Sequence, residues 1–141
     1  MLNGWQVKSA LAALASVVCW LIGGWDVLAQ ALVLLMGLDV LGGLIQAFYE
    51  RKLNSSIMRK GIIRKTGYFA AIALAVLIDR ALFQSAPAFR TLVLSYLCVN
   101  EALSVLEHLA AIGVPIPAQL RQALEKLRHE MDDDDKRQPA E

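Results

Sequence analysis

The segment YLCVNEALSVLEHLAAIGVPIP, residues 96–117, belongs to an apolar stretch long enough to span a membrane, yet it contains several polar side chains. At 100° per residue, every polar side chain between residues 96 and 111 falls within an arc of about 140°. The opposite face is aliphatic, so the segment predicts an amphipathic helix at membrane depth. We call the following residues the polar arc: Asn100, Glu101, Ser104, Glu107 and His108.

The polar arc is costly in lipid. Two charged carboxylates near a helix centre add roughly 5–7 kcal/mol to the free energy of membrane insertion, and the aliphatic residues of 92–112 lower it by roughly 3–6 kcal/mol. We therefore expect the polar arc to contact protein or water rather than lipid. Three alternatives are open: contact within the chain's own bundle, contact between copies or the lining of a water-filled lesion, and a transport site for a substrate or a proton.

The composition predicts a membrane protein. The chain has 141 residues, enough for one domain, and 57% of them are hydrophobic; the mean hydropathy is +0.48. Soluble domains have about 45–50% apolar residues, and so short a chain has too little interior to bury more. The formal net charge of +1 argues against a nucleic-acid partner and leaves the lipid bilayer as the expected one.

Apolar segments divide residues 1–113 into three or four predicted transmembrane helices. Whether the first segment spans is open, because Gly23 and Gly24 shorten it. The segments are approximately 9–24, 27–48, 66–84 and 90–112.

The C-terminal part of the chain is polar. Residues 114–131 predict an amphipathic cytoplasmic helix with an apolar stripe through Leu120, Leu124 and Leu127, and residues 132–141 predict a disordered charged tail. The fold class predicted is an all-α integral membrane protein, a bundle of three to four transmembrane helices with a C-terminal cytoplasmic amphipathic helix.

A basic loop is predicted at residues 50–65, between the second and third segments. Short loops rich in Lys and Arg stay in the cytoplasm, so this loop and the C-terminus are expected there. No aromatic residue interrupts the charges, which again argues against nucleic-acid binding. The residues assigned to topology and headgroup contact are Arg51, Lys52, Arg59, Lys60, Arg64 and Lys65.

A second costly residue, Asp39, lies in the apolar segment 27–48. Gly42 and Gly43 follow it, and small residues let a neighbouring backbone approach closely. We expect Asp39 to bond across such a helix contact. Together with the polar arc, these three residues are the predicted pore or oligomer interface.

Enzymatic chemistry has little support in the sequence. No nucleophile, metalloprotease or phosphate-binding motif is present. Cys19 and Cys98 lie in apolar runs and are interpreted as small buried hydrophobes, so neither a disulfide nor a metal site is predicted, and no cofactor is expected.

Several short motifs along residues 20–125 resemble the bacteriophage holin family that includes clostridial toxin-secretion holins. The last motif, NEALSVLEHLAAIGVPIP, is the most specific. The resemblance predicts an asparagine after Glu107, where this chain has His108. The matching residues are Gly24-Trp25-Asp26, Asp39, Gly42-Gly43, Ser55-Ser56, Lys60-Gly61, Arg64-Lys65, Asp79-Arg80, Asn100-Glu101, Ser104, Glu107 and Gly113 to Pro117.

The resemblance implies a non-enzymatic phage or prophage protein of the cytoplasmic membrane. It would accumulate there as a homo-oligomer and open lesions through which an endolysin or a toxin escapes, without direct contact with that cargo. The main alternative from the residues is an oligomeric ion channel or proton-coupled transporter that uses Asp39 and Glu101 as relay carboxylates. A structural membrane subunit without a pore is a third interpretation.

Overall fold

The computed structural model describes residues 3–51, 55–82 and 87–136, with side chains at all of these except 55–58, 60 and 132–136. The described residues form five helices and no strand. Within these ranges, four helical segments are long and apolar enough to cross a membrane, and one of these is Gly61–Leu82 within the third helix. The helices are α1 (Gly4–Leu21), α2 (Val27–Tyr49), α3 (Ser55–Leu82), α4 (Ala88–Ala111) and α5 (Ala118–Lys136).

Glycines set the ends of α1 and α4. Gly23 and Gly113 have φ values of +77° and +85°, which a residue with a Cβ rarely adopts. After α1, the amide of Gly24 donates to the carbonyl of Cys19 at 2.9 Å, as in a Schellman motif. An equivalent bond follows α4, and Pro115 then prevents that helix from continuing.

Helix α4 lies at the centre of the molecule. It packs against α2, α3 and α5, whereas α1 touches the rest of the protein mainly through α3. The apolar core forms where α2, α3 and α4 meet, beside the turn that follows α1. The buried members of this core are Ile22, Ala29, Leu32, Ile72, Val76, Leu94 and Leu97.

Helix α1 is exposed along its whole length. None of its residues is buried, and large side chains such as Trp5, Leu11 and Leu14 point outward. Its C-terminal end is attached to α3: the Arg80 guanidinium lies 4.3 Å from the centroid of the Trp20 ring and donates to the Trp20 carbonyl at 3.0 Å. The first apolar segment, whose role was open, is therefore an 18-residue candidate span with a lipid-compatible surface.

Two predicted polar regions contain more helix than expected. The basic loop predicted at 50–65 is helical from Ser55, because Lys, Arg and Ile tolerate a helix and charge alone does not end one. Likewise α5 continues through Lys136 into the predicted disordered tail, since each added residue extends an existing helix by one backbone hydrogen bond. Residues 137–141 and Lys52 lie outside the described residues, as does the side chain of Lys60.

Candidate functional site

Four ionisable side chains meet between α2, α3 and α4, and we call them the buried charge cluster: Asp39, Lys65, Glu101 and His108. The Lys65 ammonium pairs with Glu101 Oε2 and lies 3.0 Å from Asp39 Oδ2. On the other side of Asp39, Nε2 of His108 lies 3.2 Å from Oδ1. Glu101 is fully buried, and Asp39 and Lys65 are 7% and 8% exposed, so water screens these charges weakly.

Lys65 was assigned to the headgroup region, and the structure places it inside the bundle instead. The reason is its position on α3: it lies on the same stripe as Tyr68, Ile72 and Val76, which face α2 and α4. Arg59 and Arg64, by contrast, are exposed. A heptad-like spacing of 65, 68, 72 and 76 was the available signal that Lys65 faces inward.

Two glycines of α2 make room for His108 of α4. A Cβ at Gly42 would lie 3.0 Å from the His108 Cβ, and a Cβ at Gly43 would lie 3.3 Å from its Nε2. One turn further along α2, Gln46 Oε1 lies 2.6 Å from Nδ1 of the same ring. The close helix contact predicted around Asp39 is therefore present, and within one chain it is made between α2 and α4.

The polar arc divides into an inner and an outer part. Asn100 donates to the Tyr68 hydroxyl at 3.0 Å, and Glu101 and His108 belong to the buried charge cluster. Ser104 is half-buried, whereas Glu107 is exposed and lines a shallow cleft between α4 and α5. In the single chain, Asn100, Glu101 and His108 therefore contact residues of their own bundle, which is the first of the three alternatives for this arc.

A second polar site, which the sequence did not predict, surrounds Arg90 at the other end of α4. The buried guanidinium donates to the carbonyls of Ile22 and Gly24 at 2.6 and 3.1 Å and pairs with Asp26 at 2.6 Å. The hydrogen bonds from Arg90 to the Asp26 carboxylate, and that from the Ala29 amide, lower the pKa of Asp26 to about 2. We call Arg90 with the 22–26 turn the arginine clamp; it attaches the α1–α2 connection to α4.

Asp79 completes this end of the bundle. Its two carboxylate oxygens accept hydrogen bonds from the backbone amides of Phe89 and Arg90 at 2.9 and 2.7 Å, so a residue of α3 caps the start of α4. Among the described contacts Asp79 does not pair with Arg80, which instead stacks on Trp20. The residues suited to function are thus charged groups buried between helices. Among the described residues, no group of three or more His, Cys, Asp or Glu is placed to hold a metal ion.

Comparison with known proteins gives one consistent result. The model of the bacteriophage holin family matches residues 16–129. An uncharacterised 14.9 kDa protein of Clostridium perfringens is 36% identical over 123 residues, which cover 87% of this chain and 93% of that protein. No solved structure matches the chain.

Two further relatives extend the comparison to bacilli and a phage. The uncharacterised protein YqxH of Bacillus subtilis is 39% identical over 79% of this chain and 78% of its own length. A probable holin of Bacillus phage phi105 is 34% identical over 67% of this chain and 70% of its own length. The family match includes the whole buried charge cluster and the arginine clamp, and the described residues contain four apolar helices, so the chain belongs to the bacteriophage holin family as a multi-pass membrane protein.

Proposed function

We propose that this chain is a holin: copies accumulate in the cytoplasmic membrane, associate, and open lesions through which an endolysin or a toxin passes without contacting the holin directly. Family membership and the relative described as a probable holin support this function. They also support a non-enzymatic role. The observation that carries the mechanism is the burial of the polar arc's inner part within a single chain.

The packed chain can enter lipid because its costly groups are partnered. Glu101 faces Lys65, Asn100 faces Tyr68 and His108 faces Gln46, so little of this polarity meets acyl chains. When copies crowd together, α4 can exchange these partners for water and for neighbouring chains. The same side chains then line an aqueous lesion. Water solvates the charges there, in place of the partners that they have in the packed chain.

The proposed topology follows from the exposed basic residues. Arg59 and Arg64 lie at the start of α3 and are exposed, which supports a cytoplasmic position for this end of the bundle. If all four candidate helices span, both termini share that side. A thiol reagent that cannot cross membranes should label an Arg59→Cys variant only after cells are opened. Labelling of this position in intact cells would indicate the opposite orientation.

The function is tested by expression in bacteria with and without a cytoplasmic muramidase. A holin predicts abrupt loss of membrane potential, followed by lysis only when the muramidase is present. Glu101→Leu should change the onset time at least severalfold, whereas Glu125→Leu, which alters an exposed carboxylate on α5, should not. An unchanged onset in Glu101→Leu would contradict the mechanism.

The same experiment separates the alternatives. Because Asp39 and Glu101 share one buried ammonium, a relay for protons or other cations has a structural basis. Such a channel or carrier predicts reversible, selective conductance and no release of folded protein. Harmless expression under all conditions would indicate a structural subunit without a pore.

A further inference from the structure

Helix α5 has an apolar stripe that the rest of the chain covers only in part. At 100° per residue, the four members of the stripe fall within about 60° of one another. They are Leu120, Leu124, Leu127 and Met131. Leu120 and Leu127 are 48% and 47% exposed, whereas the other two are half-buried. Contact with α4 is made beside the first turn of α5, where Arg121 lines the shallow cleft, and it leaves this apolar face open.

The bilayer is the apolar surface nearest to this stripe. Helix α4 is long and apolar enough to cross a membrane and ends at Ala111, and α5 begins at Ala118. The connection between them reaches at most about 25 Å, so α5 starts at or near the membrane surface. A helix in that position can insert an apolar stripe between lipid headgroups while its polar side faces water.

Basic side chains flank the stripe. Arg121 and Arg128 are exposed and lie about 100° and 80° around the helix from Leu120, both on the same side. Long basic side chains at the edge of an apolar face can extend to lipid phosphates. The surface of an anionic leaflet attracts both guanidinium groups and repels the aspartates at 132–135. The part of α5 suited to a membrane surface therefore ends near Met131.

The stripe is less suited to a second copy of α5. It covers about two heptads, whereas a coiled coil needs about three to four, and the next position of the same spacing is Asp134. In an antiparallel pair the same flanks meet, which would bring Arg121 of one copy close to Arg128 of the other. A lipid phosphate encounters no such repulsion. It can also replace Glu125, to which Arg121 donates at 2.9 Å, because an exposed ion pair is weak.

We propose that α5 is a membrane-surface element, with its apolar stripe inserted into an anionic leaflet beside its own α4 and with Arg121 and Arg128 on lipid phosphates. The chain then has two kinds of membrane attachment. The apolar helices span the bilayer, whereas the docking of α5 depends on lipid charge and on ionic strength. Docking is a property of one chain and does not rest on the proposed function.

The full chain reconstituted in vesicles tests this surface. Replacement of both native cysteines by alanine gives a background for labelling. A polarity-sensitive fluorophore is attached to Leu127→Cys or, as the matched control on the opposite face of α5, to Gln122→Cys. In vesicles with equal parts of phosphatidylglycerol and phosphatidylcholine, spin-labelled lipid should quench the probe at position 127, and iodide should not. The probe at position 122 should show the reverse.

Lipid charge and the stripe itself are then varied. In pure phosphatidylcholine, or at 1 M salt, where the Debye length is about 3 Å, lipid quenching at position 127 should fall severalfold. Adding Leu120→Ser should lower the ratio of docked to undocked helix by about tenfold, the factor expected for one buried leucine. Gln122→Ser, on the polar face, should leave that ratio unchanged. If Leu127→Cys does not reconstitute, Leu120→Cys is the second labelling position on the same stripe.

Each other outcome contradicts the proposal in a different way. A probe on the stripe that iodide reaches and spin-labelled lipid does not would show that α5 is undocked. Shielding from both quenchers that grows with the ratio of protein to lipid would identify a second copy as the occupant. Equal lipid quenching with and without phosphatidylglycerol would refute the role of Arg121 and Arg128. Failure of muramidase-dependent lysis, with normal lipid quenching on the stripe, would refute the proposed function and leave this surface standing.

Discussion

Replacement of Lys65 by methionine removes the cation that two buried carboxylates share. Methionine keeps the length and most of the volume of the side chain, so apolar packing changes little. The loss leaves Asp39 and Glu101, 7% and 0% exposed, facing each other without a compensating charge. Breaking a buried ion pair by removal of one partner costs about 3–5 kcal/mol, and we expect the free energy of unfolding to fall by that amount.

The measurement is a denaturant titration of the purified variant in mixed micelles, followed by circular dichroism. Arg64→Met is the matched control, because it removes a neighbouring cation of α3 that is exposed. Surface substitutions of this kind change stability by about 0.5 kcal/mol or less. In cells, the same reasoning predicts that Lys65→Met brings forward the loss of membrane potential, since the packed state is the one destabilised.

A double variant distinguishes electrostatic from steric causes. Lys65→Met combined with Glu101→Leu replaces the pair by apolar side chains, and such replacements are often neutral or stabilising. We expect the double variant to recover most of the stability lost in Lys65→Met. The buried pairing would be refuted if Lys65→Met and Arg64→Met were equally stable. It would also be refuted if the double variant lost as much stability as the sum of the losses in Lys65→Met alone and Glu101→Leu alone.

Three further substitutions test the arginine clamp and the α2–α4 contact at Gly42. Arg90→Met should lower the free energy of unfolding by about 3–5 kcal/mol, because it leaves Asp26 and two carbonyls without their donor; a loss below about 1 kcal/mol would contradict the clamp. Asp26→Asn should cost about 1 kcal/mol at pH 7, since half of this side chain is exposed. The pKa of Asp26 is lowered from 3.8 to about 2, so its stabilisation is present above about pH 4 and disappears as the pH falls toward 2, where wild type and variant should become equal. Gly42→Leu should separate α2 from α4, because even a Cβ there is 3.0 Å from His108, whereas Gly37→Leu has open space and should be neutral or slightly stabilising in the same titration.

Hydropathy and helical periodicity were sufficient to predict an all-helical chain with four apolar helices. They predicted apolar segments corresponding to α1, α2, α3 and α4, because the length needed to cross a bilayer is encoded locally. The polar arc was also predictable, since all of its members belong to one helix with a known period. The partners of the polar arc were not predictable, because they depend on how helices that are far apart in the sequence are rotated against each other.

Lys65 and Arg90 illustrate what local patterns miss. In the sequence, Lys65 is one of several basic residues, and its burial depends on α3 beginning ten residues before it, at Ser55, in the region predicted to be a loop. Arg90 ends a short connection in the sequence, but its partners are the carbonyls of Ile22 and Gly24 and the carboxylate of Asp26, 64 to 68 residues away. The Arg90 contacts leave no periodic signal, and the spacing of 65, 68, 72 and 76 indicates an inward-facing Lys65 only if α3 extends through residue 65.

The composition of the α2–α4 contact bears on why a membrane helix contains so much polarity. Apolar side chains of similar volume would hold α2, α3 and α4 together at least as well as buried charges, so stability alone does not account for Asp39, Lys65 and Glu101. Apolar side chains, however, would be as stable against lipid as against protein. Charged side chains tolerate two environments, partnered protein and water, and exclude lipid. A helix face with that property favours either the packed bundle or an aqueous lesion over a lipid-exposed intermediate, which is what the abrupt opening that we propose requires.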